Sequence, residues 1–65
     1  DQPWFLVEVK TSERNLSPQL GYFQDMIGAQ HAFQVTYNLP YQDIDCFSYH
    51  KPIIVPARTF LSQLL

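Results

Sequence analysis

An α/β fold is what this chain predicts, and three observations lead there. A segment with both helix ends marked, "LSPQLGYFQDMIGA", lies between two stretches of strand-forming residues, "WFLVEV" and "HAFQVTYNLP". A second helical segment, "PARTFLSQLL", closes the sequence. Of the 65 residues, 46% are hydrophobic and only 15% charged, so the chain has the apolar content to build a core and is a poor candidate for disorder. The expected architecture is one small domain over residues 1–65: a small mixed sheet with a strand-helix-strand parallel crossover and a C-terminal helix. A domain of this length buries only about 60% of the surface its unfolded chain exposes, so its stability is expected to be modest.

Taken in order, Trp4 to Val9 is aromatic and β-branched, with apolar residues on both faces at its start, the pattern of a central strand covered on two sides. "TSERN" turns. Ser17 is placed as an N-cap, Pro18 stands at the first helical position and Gly28 just past the end, which predicts a helix over Pro18 to Ile27. Its buried stripe is expected from Leu20, Phe23 and Ile27 at spacings of 3 and 4, widened by Tyr22 and Met26. Gly21 costs about 1 kcal/mol against alanine inside a helix, which suggests close packing on the sheet.

Phe33, Val35 and Tyr37 alternate with Gln34, Thr36 and Asn38, the period of a strand with one wetter face. Strand, helix and strand in so short a space imply a right-handed crossover between parallel neighbours. "NLPYQDID" reads as a loop, "CFSYH" and "IIV" as short strands. Pro56 then falls at or just before the first turn of the last helix, whose apolar side is expected from Phe60, Leu61, Leu64 and Leu65.

Charge and composition exclude several function classes. A formal charge of -2 with four scattered cations (Lys10, Arg14, Lys51, Arg58) is not the footprint of an autonomous nucleic-acid binder. The lone Cys46 can form neither an internal disulfide nor a thiolate metal cluster, and it reads as a small buried hydrophobe in a reducing, cytoplasmic protein. No stretch reaches the roughly 20 apolar residues of a membrane span, so no membrane partner is expected. Asp43 and Asp45 read as turn residues, and His31 and His50 as surface or locally hydrogen-bonded side chains.

The chemistry-bearing feature is "LVEVKTS". Strand side chains alternate faces, so Glu8 and Lys10 project from the same side, roughly 7 Å apart along the strand. Taken alone, the triplet fits a solvated or mutually paired polar strand end as readily as a site.

"WFLVEVKTS" followed by "LSPQLGYFQ", "HAFQV", "LPY" and "VPARTFLSQLL" resembles the C-terminal region of a prokaryotic family of AAA-type ATPases. The terminal domain of that family has a restriction-endonuclease-like fold of the PD-(D/E)xK kind. The resemblance implies that Glu8 matches a metal-binding acid, Lys10 a catalytic lysine, and that the Val9 carbonyl faces the metal. It further implies Mg²⁺ and DNA for the intact parent. A carboxylate and a carbonyl suit Mg²⁺, and an ammonium beside them suits the charge that develops on a phosphate. The family's first acid belongs to a preceding strand. Asp1 lies seven residues before Glu8, in the hairpin turn by this reading, and is not assigned that role. The chain is therefore expected to be the distal half of such a domain, inactive alone, with no Mg²⁺ bound and with an unpaired strand edge prone to self-association. The alternative is a degenerate nuclease-like fold kept as a scaffold or protein-interaction module.

Overall fold

The structure is a computed structural model, and it describes residues 4–64. Strand β1 (Phe5–Lys10) leads through a loop to helix α1 (Pro18–Ile27) and strand β2 (His31–Thr36). A long irregular stretch with a single 3₁₀ turn at Cys46–Ser48 then leads to strand β3 (Ile53–Pro56) and helix α2 (Ala57–Leu64). The α/β class and the strand-helix-strand crossover follow as expected: β1 and β2 are parallel neighbours, with Phe5 opposite His31 and Lys10 opposite Thr36. β2 and β3 are also parallel, so the antiparallel member of a mixed sheet is not among the described strands.

The strand order is β1-β2-β3, which corrects the expectation that Trp4 to Val9 is central. β2 takes the middle, and all six of its residues are buried. The expected wet face of β2 is thus dry. Gln34 and Thr36 are inaccessible to solvent, yet each is paired with the backbone of the β1–α1 loop. Burying such groups is tolerable only when they are bonded, and that loop supplies the partners.

One face of the sheet carries the core. Phe33, Val35 and Val55 pack with Cys46, Ala57 and Phe60, and Phe5, Val7, Ile44, Phe47 and Ile53 border them. Phe5, Phe33, Phe47 and Phe60 interlock, with ring centroids 5.1–6.3 Å apart. Residues Cys46–Ser48 form the 3₁₀ turn where "CFSYH" suggested a strand. The Asp45 carboxylate accepts from the Phe47 amide at 3.1 Å, and that local bond holds the backbone in a turn. Cys46 is buried as expected, and Gln63 of α2 accepts from both its amide (2.9 Å) and its thiol (3.0 Å).

The other face is covered by α1, which lies over β2. Its bounds match the punctuation: Gly28 adopts φ 71°, and its amide bonds the Gln24 carbonyl at 3.0 Å. Ser17 has an extended N-cap backbone but makes no side-chain cap; its amide donates to Gln34 Oε1 instead. The expected apolar stripe is the larger correction. Leu20 and Gln24 face the sheet, while Tyr22, Phe23, Met26 and Ile27 are exposed. Gln24 takes the inner position because its amide bridges the carbonyls of Ala29 (3.2 Å) and His50 (2.7 Å), joining the helix end to the loop before β3. In α2, Ala57, Thr59 and Phe60 are buried; Leu61 and Leu64 are exposed, and Leu65 lies outside the described residues. Thr59 turns inward because its hydroxyl both accepts from the Gln42 amide and donates to the Gln42 carbonyl.

Candidate functional site

Glu8 and Lys10 sit on the final turn of the pleat in β1, on the face shared with Gln34 and Thr36. Register places Glu8 beside Gln34 and Lys10 beside Thr36, so a polar patch crosses the C-terminal half of two adjacent strands. The inner half of that patch is committed to architecture. Gln34 Nε2 donates to the Asn15 carbonyl at 2.9 Å, its Oε1 accepts from the Ser17 amide at 2.8 Å, and the Thr36 hydroxyl donates to the Glu13 carbonyl at 3.2 Å. These three bonds strap the β1–α1 loop across the sheet.

The outer half is Glu8 and Lys10. They form an ion pair at 3.2 Å, with side chains 36% and 30% exposed. The two side chains therefore pair with each other. An exposed pair of this kind is worth at most about 1 kcal/mol, and less in salt.

The Val9 carbonyl is placed by the ladder. Trp4 O accepts from His31 N, and Lys10 O from Tyr37 N, so the even residues of β1 direct their backbone groups toward β2. Alternation then turns the N–H and C=O of Phe5, Val7 and Val9 to the outer edge. Glu8 and Val9 present two oxygens from adjacent residues, one above the sheet and one along its edge. Mg²⁺ takes six oxygens in near-octahedral array. Among the described residues, no group of three His, Cys, Asp or Glu side chains converges to hold a metal ion, and the Glu8 carboxylate pairs with Lys10. Among the described residues, the Glu8 carboxylate and the Val9 carbonyl supply two of the six oxygens that Mg²⁺ takes. Asp1, set aside as a turn residue, lies outside the described residues.

The structure brings together one pair that sequence spacing kept apart. His31 and His50 stack with ring centroids 5.1 Å apart. His31 is buried, and its Nδ1 lies 2.6 Å from the Tyr49 carbonyl, which can only accept, so the ring donates from Nδ1. The stack is a packing contact, because parallel rings do not converge their nitrogens on a common point. Nothing in the local sequence signals it; it arises where the β3 approach crosses the start of β2.

A shallow cleft lined by Tyr41, Asp43, Ile44, Asp45, Phe47 and Gln63 lies on the core side of the sheet, away from Glu8 and Lys10. Among the described residues, no helix is long and apolar enough to cross a membrane. The chain matches no family model, no curated protein and no solved structure.

Proposed function

We propose that this chain is the C-terminal part of a nuclease-like domain belonging to an AAA-type ATPase, that the intact parent processes nucleic acid with Mg²⁺, and that this segment alone does not cleave. The observation that carries the reading is the placement of Glu8 and Lys10. They stand side by side on one face of β1, directly ahead of a helical crossover to a parallel neighbour. In that role Glu8 contributes one anionic oxygen to a site completed by an acid from elsewhere, and Lys10 sets a cation beside the phosphate. Two oxygens from one segment do not hold Mg²⁺, which is why the segment is proposed to be inactive without the remainder. A cytoplasmic location accords with the lone thiol.

The test is cleavage by the parent protein. Glu8→Ala should abolish Mg²⁺-dependent DNA cleavage, and Lys10→Ala should slow it strongly with a smaller loss of metal binding. Cleavage that survives both substitutions overturns the catalytic role. The second reading, a scaffold retaining the fold, is favoured by one observation: Glu8 and Lys10 already satisfy each other, and the buried polar atoms around them are paired.

A further inference from the structure

Helix α1 carries an apolar patch on the surface it turns away from the sheet. Tyr22 and Met26 lie about 160° around the helix axis from Leu20 and Gln24, which face the sheet, and Phe23 and Ile27 flank them on one side. Tyr22 is 61% exposed, Met26 60%, Phe23 45% and Ile27 42%. The four fall within one arc of about 140°, and Gln19 is the only polar side chain in it. The Tyr22 and Phe23 rings meet edge to face at 5.6 Å, so the patch is already ordered in a single copy. Its exposure does not hinge on what precedes β1. A strand joined to β1 extends the sheet in its own plane, and the outward side of α1 stays outward.

Three features select a second copy of this chain as the occupant. The first is charge: Asp25 is the one charged residue of α1 and lies outside the arc. The patch therefore offers a charged partner nothing to recognise, and two copies meeting there bring no like charges together. The second is shape. Tyr22–Met26 and Gln19–Phe23–Ile27 are adjacent ridges at i, i+4 spacing, all within the bounds of α1, and ridges of that kind interdigitate between helices crossing at about −50°. The groove between them takes the Tyr22–Met26 ridge of another α1 while that copy's groove takes the first, as a two-fold contact requires.

The third is area. With about 200 Å² for each large side chain in full exposure, the four offer roughly 400 Å² per copy. A two-fold contact buries that amount twice, roughly 800 Å², and Gln19 with the adjoining helix surface brings it near the 1,000 Å² or so of a specific contact. This is well short of the roughly 1,600 Å² of a standard stable interface, so the association it supports is weak.

We propose that the 65-residue chain forms a weak isologous dimer through the outer face of α1, the Tyr22–Met26 ridge of each copy seated in the groove of the other, with Kd on the order of 0.1 mM. The proposal does not rest on the nuclease reading, because association is measured without metal or nucleic acid.

The experiment is sedimentation equilibrium of the chain at concentrations up to about 1 mM, with two variants. Met26→Lys sets a cation against the apolar groove of the second copy and should weaken dimerisation at least about ten-fold. Met26 is exposed in the single copy, so the Tm of dilute protein should stay within about 4 °C. Leu61→Lys makes the same change at a residue 52% exposed on α2, which packs on the opposite face of the sheet from α1, and should leave dimerisation unchanged. Amide resonances that shift with concentration should be those of Gln19 to Ile27. A chain that stays monomeric at about 1 mM overturns the proposal and leaves the patch to a different partner. So does a dimer that Met26→Lys leaves intact, one that Leu61→Lys weakens as much, or concentration-dependent shifts that fall outside α1.

Discussion

Replacing Gln34 by methionine removes an amide from the middle of the sheet while keeping the length and shape of the side chain. Gln34 is fully buried and makes two bonds of good length, 2.8 Å from the Ser17 amide and 2.9 Å to the Asn15 carbonyl. Each is worth about 1 kcal/mol net, and leaving the partly buried loop groups unpaired adds to that, so Gln34→Met should cost about 2–3 kcal/mol. A chain of this length has roughly 3–10 kcal/mol of total stability, so the loss is a large fraction of it. At about 4–8 °C per kcal/mol for a domain of this size, Tm should fall by roughly 8–24 °C. Urea unfolding followed by circular dichroism measures the change, and hydrogen exchange at the Ser17 amide should accelerate beyond the global effect. Thr36→Val, which loses one 3.2 Å bond to Glu13, is the milder comparison. A Gln34→Met shift below about 0.5 kcal/mol would show that the strap across the sheet is not held by this amide, and would refute the account of why a polar residue sits at the centre of β2.

The two glycines should behave oppositely. A Cβ on Gly21 would meet Pro52 Cγ at 3.5 Å, ordinary contact, so Gly21→Ala should stabilise by about 0.5–1 kcal/mol; Gly28, at φ 71°, should lose about 1 kcal/mol on the same change, and urea midpoints moving in the same direction would contradict the opposition. Burial pushes the Cys46 thiol up, the neighbouring Asp45 charge adds to this, and a backbone hydrogen bond opposes it. A raised folded value favours the protonated thiol, so this contribution is complete below the unfolded value of about 8.5 and is lost as pH rises through the folded value. Stability should therefore decline in alkali, and iodoacetamide at pH 8 should modify native Cys46 far more slowly than the urea-unfolded chain; equal rates would rule out a buried thiol.

Local chemistry was enough to place α1, because its stops are local: Pro18 presets the first turn, and Gly28 takes a left-handed conformation open to it without strain. The parallel neighbours β1 and β2 followed from the helix between them, and the adjacency of Glu8 and Lys10 followed from the two-residue period of a strand. What depended on the assembled molecule was which faces became inner ones. Gln24, Gln34 and Thr36 look like surface residues in sequence, yet each is inside because a carbonyl or amide from a distant loop meets it there. Phe23 and Ile27 look like core residues and are exposed, since the amide bridge of Gln24 to Ala29 and His50 rotates that side of α1 toward the sheet. Periodicity reports which residues share a face, but the free energy of burying a polar group is set by its partner, and the partners here are 17–26 residues away along the chain. The order β1-β2-β3 has the same origin: apolar content on two faces permits a central position, while the strand that becomes central is the one whose both edges find a partner in three dimensions.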